Sequence, residues 1–325
     1  MGVVGPLTPS GQRLREALAE RAFPVAELKL FEQTATLEAQ LTEFEGDVVI
    51  TEPMDPDLFQ RLDVIFFAGD ADPQHVRAAV EQGVLTLLLA PSPEVKAPVA
   101  AHAVNDSALA PGALLVATPR PAALLVGAVL AALRRAFVVR QAVATVMVPA
   151  MELGKEAAEE LKEQTINVLS FRPVPKKLLH DQLAFNLTLP SEDRAPLEAE
   201  LAREVKELAG LPEAPVAIFL VRAAIFHGYA LVLWVSLEGD PSVEELAASL
   251  RKGQLAVHRA EGAKAIPTPV SAGELDRIQV GRLRRDGSTR GGFWIWVVSD
   301  LSAVEPATRA IRLAEKLLGV PARRK

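Results

Sequence analysis

At 325 residues the chain is long enough for two domains and a sizeable buried core. Half of its residues are hydrophobic, 23% are charged and the net charge is −6, the profile of a globular protein with no electrostatic footprint for nucleic acid. The absence of cysteine excludes disulfides, thiolate nucleophiles, and iron–sulfur or zinc–cysteine centres. No secretion signal is read at the N-terminus, and the longest apolar run, Pro121 to Leu133, is too short to span a bilayer. The expectation is a cytoplasmic protein with neither a nucleic-acid nor a membrane partner.

Strand-like and helical stretches alternate through the first third. Gly2-Val3-Val4 reads as a short strand, followed by a Gly/Pro turn and an amphipathic helix over 10–21 with Leu14, Ala17 and Leu18 on one face. Further strands are expected at 28–31, 48–51, 64–68, 85–89 and 114–117, with a helix over 72–82. This alternation predicts a parallel, doubly wound sheet. From Phe137 the character changes. A β-branched run covers 137–148, and a helix over 155–169 carries Glu156, Glu159 and Glu160 near its start. A strand at 183–189, a helix at 195–209, strands at 216–224 and 230–237 and a helix at 242–252 follow. Strands at 279–285 and 292–299 read as an antiparallel pair around the loop 286–291, and the last helix, 306–318, stops at Gly319. The fold class predicted is α/β.

Three places invite chemistry. The turn 5-GPLTPSG-11 sits where a dinucleotide site keeps three glycines, between the first strand and its helix. Gly5 and Gly11 are present, but Pro6, Thr8 and Pro9 stand between them, and each proline removes an N–H that phosphate would use. On spacing alone it is either a plain turn or a weakened nucleotide turn. Arg222 lies inside the apolar run 216-VAIFLVRAAIF-226, and a buried guanidinium needs a carboxylate or an anionic ligand. Either an ion pair or an anion site satisfies that need. The third place is the corner 117-ATPRP-121, where a strand-to-helix elbow presents a proline instead of a nucleophile.

The histidines, at 75, 102, 180, 227 and 258, have no metal-ligand spacing, so no metal site is expected. Tyr229, the only tyrosine, follows His227-Gly228 after a strand and is placed to line a cleft. A phenol ordinarily titrates near pH ~10 and is a poor general base at neutral pH. Trp294 and Trp296 share one face of a strand, which points to core or subunit packing.

Taken together, 182-QLAFN-186, 267-PTPVSAGELDRIQVGRLRRD-286 and 294-WIWVVSDLSAVEPATRAIRLAEKLL-318 resemble the aspartate-semialdehyde dehydrogenase family. So do 21-RAFPVAELKL-30, 154-GKEAAEELKEQT-165 and 202-AREVKELAG-210, in the same order along the chain. The resemblance implies a Rossmann-type NAD(P)-binding domain over 1–118 and 305–325, and an α+β catalytic and dimerisation domain over 119–304. It also implies NADP as cofactor, a homodimer that can assemble into a tetramer, and a place in amino-acid biosynthesis.

The same resemblance implies that the family's catalytic positions are not intact. Pro121 falls on the nucleophilic cysteine, Val148 near the orienting glutamine and Tyr229 on the acid/base histidine. Arg222 and Glu204 keep the substrate-binding positions, while Glu207 replaces a phosphate-binding lysine. Gly5 and Gly11 are what remains of the cofactor turn, whose middle glycine is Thr8. A chain altered at so many points is similar to the Usg-type relatives, and the expectation is a catalytically inactive homologue acting as a homodimeric binding or scaffold protein. The alternative is an oxidoreductase with altered chemistry in the same cleft, using Arg222, Glu204 and His227 or Tyr229. A mixed dimer with an active paralogue is a further expectation.

Overall fold

The computed structural model describes residues 1–32, 41–44, 46–190, 195–258, 266–275 and 277–320. They form two compact units, Met1–Arg120 with Glu305–Lys325, and Pro121–Val304.

The first unit is built on strands β1 (Gly2–Val4), β2 (Lys29–Glu32), β3 (Leu41–Phe44), β4 (Asp47–Pro53), β5 (Val64–Phe67), β6 (Leu85–Leu88) and β7 (Leu115–Ala117). Their order is β3-β4-β2-β1-β5-β6-β7, parallel throughout except for the β3–β4 hairpin at one edge. Without the edge strand β3, this is the doubly wound order of dinucleotide-binding folds. β5 and β6 read VIFF and LTLL and are buried at every position, as central parallel strands covered on both faces must be. Helix α1 (Pro9–Glu20) begins with Thr8 as N-cap and proline in its first turn, and helix α2 (Pro73–Glu81) repeats the pattern with Asp72.

The C-terminal helix, α8 (Pro306–Leu318), completes this unit. Ala307, Ala310, Ile311, Leu313 and Ala314 join the core beside Leu14 and Leu18 of α1. Ion pairs frame that apolar seam. Arg13 Nε meets both Glu305 oxygens at 2.8 and 2.9 Å, and Arg21 grips Glu315 at 2.7–3.0 Å. Lys316 Nζ and His102 Nδ1 converge on Asp106 Oδ2 at 3.0 and 2.8 Å. Burial alone would raise the Asp106 carboxyl, but the bonds from Lys316 and His102 hold it below the ordinary value.

The second unit holds the other sheet, ordered β12-β13-β14-β11-β8-β10-β9. Its strands are β8 (Val139–Val148), β9 (Leu187–Thr188), β10 (Val216–Ala223), β11 (Tyr229–Leu237), β12 (Ala256–Val257), β13 (Gln279–Arg285) and β14 (Gly292–Ser299). One face is covered by helices α3 (Pro121–Arg134), α5 (Ala195–Ala209) and α6 (Val243–Lys252). Helix α3 is apolar all round and buried from Ala122 to Leu133, so it is a core helix. Gly127 lets α5 close on it, since a Cβ there would lie 2.9 Å from Leu208 Cδ1. Helices α4 (Lys155–Leu169) and α7 (Leu301–Val304) complete the unit. No helix among the described residues is long and apolar enough to cross a membrane.

The expected strand over 183–189 shrinks to the two residues of β9. The reason is local. Leu183 and Ala184 donate their N–H groups to Gln164 Oε1 at 2.8 and 3.1 Å, and Phe185 takes φ +60°, so the segment cannot join a ladder. Gln164, fully buried on α4, also donates to the Pro175 and Asp181 carbonyls, while Glu160 accepts from Lys177 and Leu178. The hairpin strand β3 and the short β12 had no periodicity long enough to predict them.

A candidate site at the end of the second sheet

Strand register assembles the sequence-predicted residues of this unit. On the helix-covered face, Ile218, Ala144, Leu233 and Ile295 form one row across β10, β8, β11 and β14, and Leu220, Val146, Leu231 and Val297 form the next. Both rows are apolar and buried. One step further, Arg222 pairs with Val148 and Tyr229 pairs with Ser299. Because Ala230 pairs with Met147, Tyr229 stands next to Val148. On the other flank, Arg222 pairs with Thr188 of β9. The third row therefore reads Thr188, Arg222, Val148, Tyr229, Ser299, and in-register neighbours share a face with Cβ atoms about 5 Å apart. This is where the apolar core gives way to polar chemistry.

Two hydroxyls of this row, those of Tyr229 and Thr188, are deeply placed and unpaired. Arg222 is buried and donates from Nη1 to the Leu179 carbonyl at 3.5 Å. Tyr229 is 0% exposed, and neither its hydroxyl nor the Thr188 hydroxyl has a hydrogen-bond partner. An unsatisfied buried hydroxyl costs about 1–3 kcal/mol, so each such atom calls for an explanation. Val148 in the middle supplies no hydrogen-bonding group.

The remaining predicted residues lie on other elements. Glu204 is 1% exposed on the inner side of α5, which packs on β10, whereas Glu207 points outward. Pro121 opens α3 at its first position, where the missing N–H is unneeded. His227 lies outside β11, exposed beside Phe226 at a ring distance of 6.3 Å. No group of three His, Cys, Asp or Glu side chains that could hold a metal occurs among the described residues.

In the first unit the turn after β1 has its own geometry. Gly5 takes φ +69°, and a Cβ on Gly11 would overlap the Gly5 carbonyl oxygen. Gly11 is thus required by packing between the turn and α1. Thr8 Oγ1 donates to the Gly5 carbonyl at 2.8 Å, with the Ala68 carbonyl at 3.1 Å sharing that proton, and accepts from Gly11 N–H at 3.0 Å. Glu32, the last residue of β2, lies close enough to the Leu7 amide for it to stabilise the carboxylate, and its Oε1 is buried without a hydrogen-bond partner. Burial pushes the Glu32 carboxyl above the ordinary range, and the Leu7 amide offsets part of that.

Sequence reasoning missed Glu32, Thr188 and Ser299. Two of them were within reach. Ser299 is in phase with Phe293, Ile295 and Val297, and Glu32 stands about 20 residues beyond the turn, where dinucleotide folds keep an acid.

Comparison with known proteins agrees with both sheets. The family profile described as semialdehyde dehydrogenase, dimerisation domain, matches residues 130–301. A USG-1 protein homolog of Azotobacter vinelandii is 28% identical, covering 98% of this chain and 97% of its own length. An aspartate-semialdehyde dehydrogenase of Bacillus subtilis is 24% identical over 98% of this chain and 96% of its own. Among solved structures, aspartate semialdehyde dehydrogenase II from Vibrio cholerae superposes with a TM-score of 0.81 at 25% identity, covering 98% of both chains. With its Rossmann-type sheet, its mixed second sheet and a profile match over more than half its length, the chain belongs to the semialdehyde dehydrogenase family.

Proposed function

We propose that this chain is a catalytically inactive aspartate-semialdehyde dehydrogenase homologue that works as a cytoplasmic homodimeric binding or scaffold protein. The observation that carries the reading is Pro121 at the head of α3, in a chain with no cysteine. In the alignment by resemblance this is the nucleophile's seat, and proline has no side-chain atom able to attack a carbonyl. The row Arg222, Val148, Tyr229 supports the same reading, because an apolar side chain and a phenol occupy the positions aligned with the amide and the imidazole. The test is NADP-dependent oxidation of aspartate semialdehyde with phosphate by the purified chain. No turnover is expected, and turnover above that of an active relative stripped of its cysteine overturns the reading.

The dimer is proposed through the outer face of the second sheet. There Val143, Trp234 and Trp294 form one row, and Phe219, Thr145, Val232 and Trp296 the next. Val143 and Phe219 are 39% and 48% exposed. The indole N–H groups are satisfied within the chain, Trp234 by Asp286 at 2.8 Å and Trp296 by the Pro267 carbonyl at 2.7 Å, which leaves ring surface to face a partner. A mixed dimer with an active paralogue would use the same face, and co-purification from cells tests it.

The unpartnered Tyr229 hydroxyl supports a second reading, an oxidoreductase of altered chemistry in which Arg222, Glu204 and Tyr229 grip an amino-acid-like ligand. Thermal-shift screening with amino acids separates the two, since a ligand at one hundred times its Kd stabilises by about 2.7 kcal/mol. The absence of any shift sinks this second reading.

A further inference from the structure

We infer that the dinucleotide turn of the first unit is closed by its own side chains, Thr8 and Glu32, and that the unit persists as a structural domain without binding NAD(P). This goes beyond the reading above, because a chain without a nucleophile could still hold a dinucleotide.

A Rossmann turn binds pyrophosphate through free backbone N–H groups at the head of its first helix, and its glycines let the phosphates approach the backbone. Here those donors are taken or missing, position by position. Gly5 N–H bonds to the Phe31 carbonyl at 2.9 Å, Thr8 N–H to Gly5 at 3.2 Å and Gln12 N–H to Thr8 at 2.9 Å. Gly11 N–H goes to the Thr8 hydroxyl at 3.0 Å, and the Leu7 amide lies near enough to the Glu32 carboxylate to lower its pKa. Pro6 and Pro9 have no N–H at all. Leu7 and Ser10 apart, every position of 5–12 either has its N–H bonded within the chain or lacks one.

Space and charge act in the same direction. The Thr8 methyl lies 3.6 Å from the position a Cβ would take on Gly69 and 3.4 Å from that on Gly5, so it fills the gap between the two loops. Glu32 adds a carboxylate where a dinucleotide brings two phosphates, and an anion beside an anion in a half-buried place is repelled. In dinucleotide folds the acid at this strand end serves the ribose. Here it lies beside the Leu7 amide of the phosphate turn, with Oε1 buried and unpaired. The turn has thus put an internal hydroxyl and a carboxylate where an external anion would sit, and the Thr8 hydroxyl caps the helix.

Calorimetric titration of the full chain with NADP+, and separately with NAD+, tests this. No saturable binding is expected up to about 5 mM nucleotide, and saturable binding of either within that range overturns the inference. The double variant Thr8→Gly with Glu32→Ala reopens the turn and is expected to gain saturable binding in the same range. If that variant melts like the parent and still gains none, closure by these two side chains is wrong. If it does not fold, the parent titration decides alone. Binding of NADP+ without semialdehyde turnover overturns closure and leaves the inactive-homologue reading in place, whereas NADP-dependent turnover overturns both.

Discussion

The turn after β1 and the row at the end of β8 treat their polar atoms in opposite ways. In the turn, Thr8 uses its hydroxyl both as donor and as acceptor, and the Leu7 amide lies beside Glu32. In the row, the hydroxyls of Tyr229 and Thr188 are buried without partners on either side of Arg222 and Val148. A turn whose Thr8 hydroxyl is satisfied internally gains stability from its own bonds, although Glu32 Oε1 beside it is buried without a partner. A row with unpaired hydroxyls retains a cost of about 1–3 kcal/mol for each, and so keeps a capacity for binding that the turn has given up. On the proposed reading, the two places left the family's chemistry by different routes, one by filling in and one by losing its reactive groups.

The most forceful way to break this contrast is to disturb the turn's packing. Gly11→Ala places a methyl group onto the Gly5 carbonyl, which is backbone and cannot yield. The expected cost is about 3 kcal/mol or more, seen as a lower midpoint in urea unfolding. A fully stable variant would show that the turn is looser than its hydrogen bonds imply. On the second unit, Val143→Asp with Phe219→Asp puts charge on the proposed dimer face while leaving the helix-covered face untouched. Dimer dissociation is expected to rise by at least about 100-fold, close to 2.7 kcal/mol, with little change in the helical circular dichroism. Sedimentation equilibrium reads it, and an unchanged dimer moves the interface elsewhere.

Smaller effects sharpen the comparison. Asp106 is a well-partnered carboxylate of the first unit, with Lys316 and His102 on one oxygen. Its pKa is depressed on folding, so its contribution is present above the ordinary aspartate value near ~4 and disappears as pH falls through the lower folded-state value. Asp106→Asn is expected to cost about 1 kcal/mol at pH 7, with the difference from the parent vanishing in acid. A difference that grows on acidification contradicts the sign. Tyr229→Phe carries the smallest change. With no partner to lose, the variant is expected to match the parent or exceed it by up to about 1 kcal/mol, and a loss of 2 kcal/mol would reveal a bound partner for the hydroxyl.

Much of the fold was legible because periodicity and caps agree locally with the global topology. Helices 155–169, 195–209 and 306–318 were read to their ends, helped by the switch from period-two to helical patterning and by stop signals such as Gly319, which takes φ 67°. The 183–189 segment was misread because Gln164, twenty residues earlier, decides where its amides go, and no local pattern reports that. The candidate row was legible as single residues but not as a row. Arg222 and Tyr229 are seven residues apart, but Val148 is far from both in sequence, and only the parallel register of β8 and β10 beside the antiparallel β11 brings all three together. Glu32 was missed because its importance lies in standing beside the Leu7 amide, a proximity that its strand position does not encode.

The account rests on the absence of the family reaction from this chain, and a spectrophotometric assay addresses that most directly. Purified chain, in large excess over the amount needed for an active relative, is incubated with aspartate semialdehyde and NADP+, with and without phosphate. The account predicts NADPH formation no faster than in the protein-free control and no dependence on phosphate. Phosphate-dependent NADPH formation that saturates with the semialdehyde would contradict it.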